Sequence, residues 1–393
     1  MLTYHLIASM QYFFILGNHP RLSLAELICV LKSKNYQTED GFALFDIEDK
    51  AVLNSDKVQN CLGGTVKIGH IIKKTNFDCL ADDACEVIKN QLNIKQKIYF
   101  GISVYNCRFN VKRTALALKT KLKKHGISSR WVQSRDAALS SVIVKTNKLL
   151  SNRGCEIVIL KRQNDLFFGI TYTVQPFDEF SKRDYGRPAR DIDSGMLPPK
   201  VARIIIHLAQ MDKTTSILDP FCGSGTILQE ALLLGYKQVT GSDISKKAIE
   251  DSEKNLHWID KGMPKLINID VCHLSQKFGP ASINAIITEP YLGPALKGSE
   301  PMSKIKQIID ELSILYLDSF KEFRKVLKPG GRIVIIFPVI KGQKLHILDQ
   351  IKKSGFIPDC GFSNLYDDSA RQSFLYSRPD QTVKREIFVF GKV

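Results

Sequence analysis

The stretch that decides the fold is Ser216-Ile217-Leu218-Asp219-Pro220-Phe221-Cys222-Gly223-Ser224-Gly225-Thr226. Ser216–Leu218 reads as a short buried strand, Asp219-Pro220 ends it, two glycines make a turn, and residues 226–234 continue as a helix. A turn of this kind at a strand's carboxyl end lets backbone N–H groups approach a ligand with no Cβ in the way. The next strand, Gln238–Ser242, runs into Asp243, which stands 24 residues after Asp219. An acid about 20 residues beyond a glycine turn is placed to hold a ribose diol. A third strand carries Asp270 toward the edge of an adenine-like ring. No lysine follows the glycines as a phosphate-binding loop requires, so the pattern suits a nucleotide-like ligand without phosphates. The turn alone would serve equally as a plain strand–helix connection; its combination with Asp243 favours binding. Cys222 reads as a small loop residue rather than a nucleophile.

Working outward, strands at Ala285–Thr288 and Arg332–Phe337 alternate with helix-length stretches, which implies βαβ units and a parallel sheet covered on both faces. Residues 378–393, with Ile387-Phe388-Val389-Phe390, read as a closing strand. Upstream, residues 176–200 are rich in Pro, Gly and charge and read as an ordered linker. Residues 51–175 form a unit with a helix from Val111 to His125, ended by Gly126. Val111, Ala115, Leu118 and Leu122 recur at helical spacing, so that face packs inward. Strands are expected at Ser141–Lys145, Glu156–Leu160 and Phe167–Thr173. Residues 1–50 alternate strands (the apolar run 6–16, then Phe42–Phe45) with a helix opening at Ser23, where Glu26 completes a capping-box pattern. The expected division is therefore 1–50, 51–175, a linker over 176–200, and 201–393.

The net charge of +16 over 393 residues is concentrated. Residues 101–150 hold eleven Lys and Arg against one acid, Asp136. Such a block fits either a polyanion partner or a solvated helix face. Lys112, Arg113, Lys119 and Lys123 on the helix, with Arg130 and Arg135 in the loop after it, are the candidate nucleic-acid face. Trp131 beside them reads as a core residue. Arg183, Arg187 and Arg190 could meet RNA or pair with Asp184, Asp191 and Asp193. The nine cysteines form no Cys-x-x-Cys pair, so neither a disulfide framework nor a metal site is expected, and a cytoplasmic protein with no membrane association fits.

The segment Thr288-Glu289-Pro290-Tyr291-Leu292-Gly293, with Asp219–Thr226 and Asp243, resembles class I methyltransferases that modify exocyclic amines. Several further segments are similar to THUMP-containing tRNA guanosine N2-methyltransferases. They are Leu16-Gly17 through Leu24-Ala25-Glu26-Leu27, Leu62-Gly63-Gly64-Thr65, and Tyr185-Gly186-Arg187-Pro188-Ala189-Arg190-Asp191. Gly195-Met196-Leu197-Pro198-Pro199-Lys200, and Tyr376-Ser377-Arg378-Pro379 through Arg385-Glu386-Ile387-Phe388-Val389-Phe390, complete the set. The resemblance covers nearly the whole chain. It implies a Rossmann-like α/β domain preceded by an α+β ferredoxin-like and THUMP region. It also implies S-adenosylmethionine as cofactor, bound by Met196, Pro198, Asp219, Phe221, Gly223, Gly225, Thr226, Asp243, Ile244 and Asp270. Arg187 joins the expected RNA contacts.

The family's tetrad is Asp-Pro-Pro-Tyr, and here it reads Glu289-Pro290-Tyr291-Leu292. An aniline-like amine is a poor nucleophile because its lone pair is delocalised into the ring. A carboxylate and a backbone carbonyl that accept its two N–H bonds favour a pyramidal nitrogen. Glu289 supplies the acid with one extra methylene, and Tyr291 in place of the second proline is a candidate base stacker. Glu289, Pro290 and Tyr291 are thus the expected catalytic residues and tRNA the expected partner. A monomer is expected, with room left for a small activating subunit that the sequence does not identify. Two other readings stand beside this one: a DNA N6-adenine methyltransferase, and an RNA-binding protein that keeps the cofactor pocket without turnover. Cytosine C5 chemistry needs a cysteine nucleophile, and the Glu289 segment has none.

Overall fold

The computed structural model describes residues 10–47, 55–190, 195–379 and 381–393. Residues 6–9 of the expected first strand and the acids Asp191 and Asp193 lie outside these. The chain forms two compact units: residues up to Pro20 with Leu31–Asp178, and Arg21–Val30 with Glu179–Val393.

The first unit is an eight-stranded sheet ordered Tyr36–Glu39, Phe42–Ile47, Met10–Leu16, Thr65–Thr75, Asp165–Val174, Gly154–Arg162, Ile98–Tyr105 and Ser129–Val132. Strands from both expected segments, 1–50 and 51–175, therefore share one sheet. The helices Leu80–Gln91 and Val111–Lys124 bury their apolar faces against it, and Ala115, Leu118 and Leu122 have no exposed surface. Trp131 packs against the same core. The remaining face of the second helix leaves Lys112, Arg113, Lys119 and Lys123 exposed, as are Arg130 and Arg135 beyond it. Glu156 is buried within the sheet, paired with Lys67 and accepting hydrogen bonds from Ser103 (2.5 Å) and Thr171 (2.6 Å). Its charge is thus matched and its oxygens satisfied where water does not reach.

Two local expectations fail for identifiable reasons. Ser141–Lys145 is helical, within Ser141–Thr146, because the Ser140 hydroxyl accepts from the Ile143 N–H at 3.3 Å and caps it. That cap outweighs the strand preference of Val142-Ile143-Val144. The helix expected to open at Ser23 instead spans Pro20–Leu31, with proline in its first turn, where a missing N–H costs nothing. Ser23 and Glu26 lie inside it and buried, and Glu26 Oε1 meets His207 Nδ1 at 2.9 Å.

The second unit carries a sheet in the order Lys265–Asn268, Gln238–Asp243, Ser216–Asp219, Ile283–Thr288, Leu327–Ile340, Val383–Lys392 and Phe356–Pro358. The first five run parallel and Val383–Lys392 runs antiparallel between its neighbours. This is the expected α/β, Rossmann-like class I methyltransferase architecture. Strand order reverses at Ser216–Asp219, and the carboxyl ends of the parallel strands gather the functional loops on one side.

The segment expected as a linker is built into this unit. Its helix Phe177–Tyr185 brings Arg183 to the buried Glu230, Nε to Oε1 at 2.6 Å, and Arg203 reaches the other oxygen. Farther along, the Ala189 N–H donates to Asn255 Oδ1 while Asn255 Nδ2 donates back to the Ala189 carbonyl, both at 2.9 Å. No helix among the described residues is long and apolar enough to cross a membrane.

Candidate active site

The turn after Ser216–Asp219 is shaped by its glycines. Gly225 sits at φ +85°, and a Cβ there would stand 2.8 Å from the Ser252 hydroxyl oxygen, so neither conformation nor space admits a side chain. The loop is pinned from outside: Ser252 Oγ donates to the Gly223 carbonyl (2.7 Å) and Asn255 Nδ2 to that of Ser224 (2.9 Å). The Gly223 N–H donates to Asp243 Oδ2 and the Ser245 N–H to Asp243 Oδ1, each at 2.9 Å. Asn268 Nδ2 donates to the carbonyls of Asp243 and Ile244 and so fixes the third strand beside the second.

These loops enclose a cavity of about 560 Å³. Met196, Asp219, Phe221, Gly223, Thr226, Asp243, Ile244, Asp270, Glu289, Pro290 and Tyr291 all line it. Two expected cofactor residues do not face it. Pro198 is buried as the residue before helix Pro199–Leu208, and Gly225 acts through the turn it permits.

The wall carries five acidic residues (Asp219, Asp243, Asp251, Asp270 and Glu289), of which Asp251 pairs with Lys247 at 2.8 Å and Glu289 with Arg385 at 2.6 Å, so acid remains in excess. That balance opposes a phosphorylated ligand and suits a cation with hydroxyls. Asp219 is fully buried; burial pushes its carboxyl up to about 7, against the opposing hydrogen bonds from Thr288 Oγ1 (2.7 Å) and the Phe221 N–H (3.3 Å). Asp243 is raised by burial too, offset by its two backbone donors. Burial lifts the Cys222 thiol well above its ordinary range, leaving it inert as a nucleophile. Asp270 Oδ1 accepts from the Cys272 N–H (2.9 Å).

At the end of strand Ile283–Thr288, Glu289 meets Arg385 of strand Val383–Lys392. Arg385 Nε donates to Oε1 at 2.6 Å and Nη2 to Oε2 at 3.2 Å. Arg385 Nη2 also donates to the Gly195 carbonyl at 3.3 Å. Sequence reasoning gave Arg385 no role; its place in the closing-strand motif was the available signal. Tyr291 is half exposed at the mouth, and its carbonyl accepts from the buried Tyr316 hydroxyl at 3.2 Å.

Arg187 is a correction. It is 3% exposed and donates through Nη1 to the Thr226 hydroxyl at 2.7 Å, so it has no surface to offer RNA. Its neighbour Arg183 pairs with Glu230 at 2.6 Å and lies 4.0 Å from Glu179 of its own helix, whereas Arg190 is exposed and lies over the ring of Tyr185.

Fold and cavity define the second unit as a class I methyltransferase domain. The UPF0020 family model, described as an RMKL-like methyltransferase domain, matches residues 187–345. The N6_N4_Mtase model, described as DNA methylase, matches residues 39–254, more than half of the chain, and the chain belongs to that methylase family. Among curated proteins it is 32% identical over 164 residues to a tRNA (guanine(10)-N2)-dimethyltransferase of Pyrococcus abyssi, covering 41% of this chain and 44% of the relative. It is 27% identical over 182 residues to a tRNA (guanine(6)-N2)-methyltransferase of Thermus thermophilus, covering 44% of this chain and 47% of the relative. The chain thus spans less than half the length of these relatives. Its fold is similar to the crystal structure of TrmN from Thermus thermophilus, with a TM-score of 0.56 and 15% identity over 98% of this chain and 100% of that one.

Proposed function

We propose that the chain is an S-adenosylmethionine-dependent RNA methyltransferase acting on the exocyclic N2 of guanosine in tRNA. The observation that carries this reading is an acid-lined cavity at the strand ends with Glu289-Pro290-Tyr291 on its wall. The partial matches to tRNA guanine-N2 enzymes support the choice of base and RNA. The cavity residues fit the cofactor: Asp243 has lone pairs left for a ribose diol, Ile244 and Cys272 offer apolar faces to an adenine, and the acids favour a sulfonium cation. When bound, S-adenosylmethionine supplies a methyl already activated for displacement.

The rest of the chemistry is positioning by the protein. Glu289 and the Pro290 carbonyl accept the two N–H bonds of the amine and direct its lone pair toward the methyl carbon. Tyr291 at the mouth stacks on the base. A base paired in a duplex must first leave its stack, at a cost of a few kcal/mol. The first unit, which we read as a THUMP-like RNA-binding module, contributes through phosphate contacts from Lys112, Arg113, Lys119, Lys123, Arg130 and Arg135, all exposed. Exposed Arg190 and Arg378, with Tyr185, add a basic and aromatic surface to the second unit.

The test is methyl transfer from labelled S-adenosylmethionine to bulk tRNA, followed by nucleoside mass spectrometry. N2-methylguanosine is expected, and Glu289→Ala abolishes it. The second reading, N6-adenine methylation of DNA, is favoured by the DNA methylase family match. Equal or faster transfer to duplex DNA would establish it in place of the first.

A further inference from the structure

We infer that Arg385 is the positioning residue that turns Glu289 into a fixed acceptor for the target amine. The inference rests on the reading of Glu289 as the group that meets that amine. A glutamate at this strand end has one more rotatable bond than the aspartate of the related tetrads, and a free carboxylate would sample several rotamers. Arg385 removes that freedom. Its planar fork holds both oxygens through Nε at 2.6 Å and Nη2 at 3.2 Å. The arginine is itself immobile. Its side chain is 4% exposed, and its backbone is paired with Pro338 on one side and Tyr376 on the other. Each carboxylate oxygen keeps a lone pair for an incoming N–H.

Two consequences follow. The Glu289–Arg385 pair is electrically balanced, and the part of the carboxylate is to orient the amine. As the N–C bond forms and the C–S bond breaks, with its electron pair going to sulfur, the displaced amine proton leaves to water at the open mouth. Nη2 of the same arginine also holds the Gly195 carbonyl at 3.3 Å, beside Met196 and Leu197 on the cavity wall. One side chain therefore sets the acceptor in register with the cofactor wall.

The experiment is steady-state methyl transfer to tRNA by the full chain and by Arg385→Gln, Arg385→Lys, Glu289→Gln and the Arg385→Gln/Glu289→Gln double variant. Arg385→Gln is expected to lower kcat roughly 100-fold while KM for S-adenosylmethionine moves less than about threefold. Arg385→Lys keeps the charge without the fork and should recover about a tenth of the wild-type kcat. In the Glu289→Gln background, removing Arg385 should cost less than about threefold more, because the arginine acts through the carboxylate. Additive losses, a loss confined to cofactor KM, or Arg385→Lys at the wild-type rate would each overturn the inference. Should Arg385→Gln fail to fold, the lysine variant still decides. Absence of any transfer by the wild-type chain refutes the underlying function, and this role with it; transfer by wild type with indifferent Arg385 variants refutes this role alone.

Discussion

Replacing Asp219 by asparagine tests the electrostatics of the cofactor cavity directly. The Asp219 carboxyl is 1% exposed and is pushed from 3.8 to about 7, first by burial and then by the neighbouring charges of Asp243 and Glu289. The folded chain therefore holds this proton more tightly than the unfolded chain does. That contribution to stability is complete below 3.8 and is lost as pH rises through about 7. The interval is roughly three pH units, and at about 1.4 kcal/mol per unit the total is on the order of 4 kcal/mol. The substituted amide keeps an oxygen for the Thr288 hydroxyl and the Phe221 N–H but does not ionise. Urea melts of the ligand-free protein from pH 5 to pH 8 read the effect as the difference between wild type and Asp219→Asn. Wild type should lose stability relative to the variant by about 1.4 kcal/mol per pH unit up to pH 7 and level off above it. Binding of a cationic cofactor pulls the other way: in wild type it tightens as pH rises through 7 and releases a proton, whereas the variant shows little dependence. Parallel stability curves for the two proteins would refute this account of Asp219.

Two other perturbations have clear expected outcomes. Glu230→Gln leaves the buried guanidinium groups of Arg183 and Arg203 without their shared carboxylate, and should cost about 3–5 kcal/mol in denaturant melts of the ligand-free protein. Reversing Lys112, Lys119 and Lys123 to glutamate should weaken tRNA binding at least roughly tenfold at low salt. The salt slope should fall by about three, with cofactor affinity unchanged in calorimetry.

How much of this was legible in the sequence depended on distance along the chain. The glycine turn, Asp243 and Asp270 lie within one βαβαβ run, so strand order and spacing alone brought them together at the strands' carboxyl ends. The inward face of helix Val111–Lys124 was equally readable, because period 3.6 fixes it. Ser141–Lys145 misled because β-branched residues outweigh a single serine in composition, while one cap hydrogen bond decides the local state. Arg187 looked like a surface cation because nothing nearby in sequence reveals the Thr226 hydroxyl, 39 residues away. The Glu289–Arg385 pair, separated by 96 residues, is a product of sheet topology: the closing-strand motif marked Arg385 but could not name its partner.

The strand that delivers Arg385 has a consequence for how the protein comes to exist. Val383–Lys392 follows the other described strands in sequence, yet it is hydrogen-bonded on both flanks, to Leu327–Ile340 on one side and to Phe356–Pro358 and Phe374–Tyr376 on the other. During synthesis the central strands and the cofactor turn are made long before it. Until it inserts, Leu327–Ile340 presents an open apolar edge and Glu289 lacks its arginine. Closing the sheet and bringing Arg385 to Glu289 therefore depend on the same strand, and a nascent chain that has formed its glycine turn still lacks this side of the cavity.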